Sequence, residues 1–322
     1  MKKYKQLTYS QRCQIYALKK TNISQQKIAT IIGTSQSAIS RELKRNTGKR
    51  GYRYQQAQQL TNHRRLTALK SVKMTPKLLT VIRSKLQEKW SPEQISGWLN
   101  MTHDVRISHE SIYRYVWHDK KLGGQLYKYL RRKGKVYQSR ALTTAGRGHI
   151  KNRVSIDERP RIVDDKSRVG DWEIDLVIGK GHSGALLTIV ERKTSFTVST
   201  RIFDKQAATV TAATIKLLTP YKAAVLTITA DNGKEFAYHE EVTKALNSPV
   251  YFADPYSSWQ RGLNENTNGL LRQYWPKKTD FKLLSSVEVD EVIIALNNRP
   301  RKKLYYQTPS YLMNKHMAAI AA

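Results

Sequence analysis

Two hydrophobic periods divide this chain, and a chain that carries both cannot fold as a single kind of layer. From Leu7 to Trp117 the apolar residues recur at helical spacing. From Gly170 to Phe203 three runs rich in β-branched residues follow one another across short turns. A helix-period sequence does not settle in a sheet, so at least two architectures are expected. The 322 residues suffice for two or three domains, one of them with a sizeable core.

Charge divides the chain at nearly the same place. Residues 1–160 hold 35 Lys and Arg against 8 Asp and Glu, residues 161–322 hold 22 against 17, and the net charge is +32. A strongly basic front half implies a polyanionic partner, and the nearly balanced back half implies a different task. A membrane surface is the competing partner for such charge. It would need an amphipathic anchor or a long apolar run, and stretches such as Ala185-Leu186-Leu187 are too short to span a bilayer. Lys2, Lys3 and Lys5 lead into polar residues, not into a signal-peptide core, and Cys13 is the only cysteine. A cytoplasmic nucleic-acid-binding protein is expected.

In the front half, Leu7, Ile15 and Leu18 fit one helix face that ends at Lys19-Lys20. Ser24 caps a second helix with Ile23 stapled to Ile28, and Gly33 supplies the turn that ends it. A third helix runs from the cap Ser35 through Arg45. Its Ala38, Ile39 and Leu43 face inward, leaving Ser37, Ser40, Arg41, Lys44 and Arg45 outward to meet DNA. This is the helix-turn-helix pattern, which any three-helix bundle could share but which the local charge favours. Residues 51–70 read as a polar helical connector with His63, Arg64 and Arg65. In residues 71–119 a capping box (Ser91, Gln94, with Pro92) and a second cap at Ser108 suggest another helix-turn-helix-like pair; a purely structural helical pair is the alternative. Residues 120–165, with Arg131-Arg132-Lys133-Gly-Lys135 and Gly146-Arg-Gly148, read as a basic linker.

In the back half, from residue 166 to 322, the elements read βββαβαβα and should build a mixed sheet flanked by helices. The strand Val225–Ala230 delivers Asp231 at its C-terminal end, where ligand chemistry gathers in such sheets. Asp171, Glu173 and Asp175 share a strand at period two, so spacing alone cannot choose among them. Downstream, a helix over residues 256–274 sets Arg261, Glu265, Asn268 and Arg272 on one face. Alone, that stripe reads as a solvated face with salt bridges. Beside two strand-borne aspartates it suits a site where carboxylates share divalent cations: hard oxygen ligands point to Mg²⁺, two ions, acting on a phosphodiester. Arg261 and Arg272 would grip phosphates, Asn268 would orient DNA or a carboxylate, and Lys277 and Lys278 add charge beside them. A further helix opens at the capping box Ser285/Glu288.

Trp172-Glu-Ile-Asp175, Thr229-Ala-Asp231-Asn-Gly-Lys-Glu235-Phe and Ser257-Ser-Trp-Gln-Arg-Gly-Leu-Asn-Glu265-Asn-Thr-Asn-Gly-Leu-Leu-Arg272 resemble the three blocks of a DDE transposase of the IS-thirty insertion-sequence family. The resemblance extends over nearly the whole chain, including Asn298-Arg-Pro-Arg-Lys-Lys-Leu304 and Thr308-Pro309. It implies a multidomain protein, an all-α helix-turn-helix region followed by an α/β ribonuclease-H-like, integrase-like catalytic domain. It also implies Asp175, Asp231 and Glu265 as catalytic metal ligands, with Mn²⁺ able to substitute for Mg²⁺. The implied partners are double-stranded DNA, as inverted-repeat ends and target, and further copies of the chain, a dimer or higher, at the bacterial nucleoid. Two positions depart from the family pattern: Ile174 stands where Gly is usual, and Ser310-Tyr311 follow Thr-Pro where an acidic residue is common. A nuclease that cuts without joining, and a DNA-binding regulator with an inactive core, are the rival readings.

Overall fold

The computed structural model describes residues 6–68, 74–131, 150–182, 184–255 and 257–322. Lys2, Lys3, Lys5, Lys70, Tyr256 and residues 132–149 of the expected basic linker lie outside the described residues. The chain forms two compact units, Met1–Lys73 and Met74–Ala322.

In the first unit, α1 (Tyr9–Lys20), α2 (Gln25–Ile32) and α3 (Gln36–Asn46) form the expected helical set. Thr8 and Gln11 make a capping box ahead of α1, Ser24 and Ser35 cap α2 and α3, and Gly33 closes α2 in the left-handed region at φ 73°. Ile15, Ile28 and Ile39 meet in a core with Tyr52 and Ala57. Each of these isoleucines is at most 1% exposed, so truncation to Ala would cost about 2–5 kcal/mol. Across this core the buried Arg12 pairs with Glu42 at 2.8 Å. Two short strands, β1 (Thr47–Gly48) and β2 (Gly51–Tyr52), come next as an antiparallel hairpin and lead into α4 (Tyr54–Thr67). The connector expected at 51–70 is therefore a hairpin strand followed by a helix. Arg64 of α4 donates to the Arg45 carbonyl at 2.9 Å and to the Asn46 side chain, which closes the C-terminus of α3.

In the second unit, α5 (Pro76–Gln87), α6 (Pro92–His103) and α7 (His109–Lys121) surround Ile82, Leu86, Ile95, Leu99 and Ile112. The Ser91/Gln94 capping box and the Ser108 cap form as expected. This helical group is seated on the sheet domain. Gln273 donates to the Tyr129 carbonyl at 2.7 Å, Lys302 pairs with Glu93 at 2.7 Å, and the Tyr306 ring fills the space over Gly97.

The sheet has six strands in the order β3-β8-β7-β4-β5-β6. The strands β4 (Asp171–Ile178), β5 (Ala185–Glu191) and β6 (Thr197–Ile202) are the expected antiparallel meander. After α9 (Ala207–Leu218), β7 (Thr227–Ala230) pairs parallel to β4, and after α10 (His239–Leu246), β8 (Val250–Phe252) pairs parallel to β7. The edge strand β3 (Val154–Ser155) and the single turn α8 (Ile162–Asp165) come from the end of the stretch expected as linker. The charge around them had concealed them in the sequence; Ile156 and Val163 are buried.

Alternation along the central strands makes two cores. Trp172, Ile174, Leu187 and Ile189 face one side with α9, α10 and Met313 of α13 (Pro309–Ala321). Val177 and Leu186 face the other, with α11 (Gly262–Leu271) and α12 (Ser286–Asn297). Asp171, Glu173 and Asp175 have the parity of Val177, so all three carboxylates turn toward α11. Ile174, at the first of the two departures, goes into the opposite core. At the other departure, Thr308 caps α13 by accepting from the Tyr311 N–H, and Tyr311 is exposed.

Candidate active site

Strand register places the two aspartates. Asp171 pairs with Thr227 and Glu173 with Thr229, so the same two-residue step carries Asp175 level with Asp231, just past the end of β7. Asp231 leaves the strand in a turn whose oxygen Oδ1 accepts from the Gly233 N–H at 2.8 Å. The next residue, Asn232, is buried; its amide donates to the Ala253 carbonyl at 2.5 Å and accepts from Arg153 at 2.6 Å. The Asp-Asn-Gly turn is thereby pinned on both sides.

The structure separates the three carboxylates that spacing left equal. Asp171 is fully buried, held by Arg168 at 3.0 Å and by the Thr227 hydroxyl at 2.7 Å. Glu173 is also buried; it pairs with the buried Arg192 at 2.8 Å and accepts the Asn264 N–H at 3.1 Å. Both are bound within the fold. Only Asp175 keeps an opening to the surface, 19% of its side chain, and it faces α11.

One guanidinium joins the two open aspartates. Arg261, just ahead of α11, reaches Asp175 at 3.4 Å and Asp231 at 3.2 Å, and also donates to the Ile174 carbonyl at 2.9 Å. Asn268, two turns along α11, donates to the other Asp175 oxygen at 2.6 Å. Its own carbonyl lies 3.4 Å from the Thr188 hydroxyl, which also donates to the Asp175 carbonyl at 3.1 Å. Burial pushes the Asp175 carboxyl above its ordinary value; Arg261 and the Asn268 hydrogen bond pull it down, and the neighbouring Asp231 charge pushes it up. Glu235 is raised as well, by burial first, with Asp231 and Asp175 adding to the rise. Two close carboxylates and a third nearby leave this end of the sheet in need of positive charge.

The remaining expected site residues divide into two groups. Glu265 lies on the exposed face of α11, and the described residues contain no cluster of three His, Cys, Asp or Glu suited to hold a metal. The helix expected over 256–274 is a 3₁₀ turn, Ser258–Arg261, followed by α11, so Arg261 and Arg272 sit outside the regular helix. Arg272 spends its donors on the carbonyls of Ile178 at 2.8 Å and Pro276 at 3.5 Å. Lys277 and Lys278 are exposed, as are Ser37, Ser40, Arg41, Lys44 and Arg45 along α3. Sequence reasoning missed Thr188, Arg192 and Arg153. Their partners lie 80, 19 and 79 residues away, and only strand parity at Thr188 gave any signal.

A family model described as a helix-turn-helix domain matches residues 3–46, and one described as an integrase core domain matches residues 166–258. The second match includes Asp175 and Asp231 and stops before α11. The chain is similar to the transposase for insertion sequence element IS4351 of Bacteroides fragilis, with 43% identity over 99% of each chain. It is similar to the transposase InsI for insertion sequence element IS30A of Escherichia coli K12, with 40% identity over 97% of this chain and 84% of that one. Against the transposase for IS1086 of Cupriavidus metallidurans the identity is 37%, over 98% of this chain and 96% of that one. Among solved structures, the catalytic core domain of BIV integrase covers 48% of this chain at 18% identity and a TM-score of 0.39.

Proposed function

We propose, since this chain belongs to the IS-thirty family of transposases, that Asp175 and Asp231 are the carboxylates at which it cleaves and joins DNA, with Glu265 as the third. The family fixes the class: an integrase-core polynucleotidyl transferase that binds DNA, cuts strands and transfers them. The observation that carries the site assignment is the pairing of Asp175 and Asp231 through the guanidinium of Arg261 at the C-terminal ends of two parallel strands. Glu265 is assigned on its family spacing and its seat on α11, one turn beyond Arg261.

Integrase cores use a divalent metal. The residues present fit one, because paired carboxylates that already hold a cationic guanidinium are hard oxygen donors with negative charge to neutralise. We assign it as Mg²⁺, two ions held by Asp175, Asp231 and Glu265, with Mn²⁺ able to substitute. When bound, such ions polarise the scissile phosphate and lower the pKa of an attacking water or 3′-hydroxyl. The chain's own residues do the positioning. Asn268 holds the second Asp175 oxygen in place, and the Asn232 hydrogen bonds fix the turn that presents Asp231. Arg261, anchored on the Ile174 carbonyl, would have its remaining donors free to take a phosphate once the charge of the two aspartates is otherwise met. The substrates are the terminal inverted repeats of the element that encodes the chain, brought together with target DNA by two or more subunits.

The test uses purified full-length protein, Mg²⁺, a duplex from the DNA flanking the reading frame, and a target plasmid. Joined products are expected from the native protein, and a loss of cleavage of 10²-fold or more from D175N, D231N and E265Q. Nicks without joined products would identify a nuclease. Undiminished cleavage by E265Q would remove Glu265 from the site while leaving the two aspartates.

A further inference from the structure

The hairpin β1-β2 follows the helix-turn-helix directly and lies beyond the residues, 3–46, that the helix-turn-helix family model matches. Thr47 pairs with Tyr52 and Gly48 with Gly51, leaving Lys49 and Arg50 as the tip. Gly51, just past this two-residue tip, takes φ 88°, a left-handed conformation that glycine adopts without strain. A Cβ there would meet nothing within 4 Å, so the glycine serves backbone conformation and not packing.

Two residues per strand cannot hold a ribbon by themselves. This one is fastened to the core beside α3. Tyr52 is 5% exposed, and its hydroxyl donates to Glu42 at 3.1 Å. Glu42 lies on α3 and is the partner of Arg12, so the ribbon and the recognition helix share one buried polar junction. The tip is also near α3 along the chain: Lys49 is three residues past its last residue, at most about 10 Å of backbone.

The basic residues of this unit differ in what they are bound to. Arg12 and Arg64 are consumed by internal hydrogen bonds. Lys49, Arg50 and Arg53 are exposed, and among the described residues none of their side chains makes a hydrogen bond, an ion pair or a ring contact. A ribbon fastened to the core that ends in two unspent cations, with open space over Gly51, suits close approach to a polyanion.

We propose that the Thr47–Tyr52 hairpin is a second DNA-contacting element of this unit. In this arrangement Lys49 and Arg50 grip backbone phosphates of duplex DNA beside the groove that receives α3, and they set how the helix is registered on the duplex. The proposal rests on the DNA-binding role of the helix-turn-helix, and its test separates the two.

Full-length native protein, K49A/R50A and R41A are titrated onto a duplex from the element end and onto a scrambled duplex, by fluorescence anisotropy across a range of salt. For K49A/R50A, affinity for both duplexes is expected to fall roughly 10- to 100-fold near physiological salt, with a salt slope shallower by about 2, as for two lost phosphate contacts. Hydroxyl-radical footprinting should show protection lost at one backbone stretch flanking the main footprint. For R41A, discrimination between the duplexes should fall instead. Weakened binding by R41A alongside native affinity and slope in K49A/R50A overturns the hairpin proposal alone. Native behaviour in both variants overturns DNA recognition by α3 and the hairpin together.

Discussion

At the residue scale, the chemistry of this chain turns on which charges the fold satisfies and which it leaves open. Asp171, Glu173 and Asp175 have the same parity on one strand, yet only Asp175, though bound by Arg261 and Asn268, keeps an opening to the surface. Its carboxyl titrates above the ordinary range, chiefly from burial. A raised folded pKa means that the folded state holds its proton at pH values where the unfolded chain has lost it. Stability is therefore lost as pH rises from the ordinary carboxylate value through the folded one, and the loss is constant above. D175N, which mimics the protonated side chain, should melt at a higher temperature than the native protein at pH 8, with the gap closing in acid. A calorimetric pH series on the metal-free proteins checks this, and equal melting temperatures at pH 8 would contradict it. The pattern is a stability cost placed at a reactive site.

At the element scale, the strand β4 is held by a buried polar layer as well as by its two apolar cores. Arg192 pairs with Glu173 and donates to the Val163 carbonyl at 3.1 Å, and Arg159 donates to Thr229 at 2.8 Å and pairs with Asp164. This layer ties α8 and the first residues of the domain to the strands that bear the aspartates. R192A would leave Glu173 buried without its countercharge and should cost about 3–5 kcal/mol, read from denaturant unfolding. Replacing Glu173 and Arg192 together by Met should cost less than R192A alone, because no orphan charge remains. A double variant as unstable as the single one would show that packing, not pairing, is at stake. Helix capping made α2, α3, α6, α7 and α12 legible in the sequence: Ser24, Ser35, Ser91, Ser108 and Ser285 each act within three residues. Neither β1-β2 nor β3 was legible, since two-residue strands carry no period and owe their existence to distant partners.

At the scale of the whole molecule, the charge boundary near residue 160 falls inside the second unit, and residues 1–73 alone hold 17 Lys and Arg against one Asp or Glu. The unit Met1–Lys73 presents basic residues on α3 and at the hairpin tip, while Met74–Ala322 contains the sheet and the paired aspartates. Among the described residues no helix is long and apolar enough to cross a membrane. A protein that begins at Met74 should keep metal-dependent nicking of mixed-sequence DNA and lose most of its preference for the element end. The ratio of cleavage on end and scrambled duplexes measures this, and a preserved ratio would place sequence recognition in the second unit. The sequence by itself determined the helix-turn-helix, the meander, the strand that ends at Asp231 and the class of the protein, because caps, periods and motif blocks act over a few residues. Only the tertiary structure decided that Asp171 and Glu173 are retired by Arg168 and Arg192, that Arg261 joins Asp175 to Asp231, and that a hairpin is fastened beside α3. Those outcomes depend on charges meeting across tens of residues of chain, where burial and countercharge, not local spacing, set the energy.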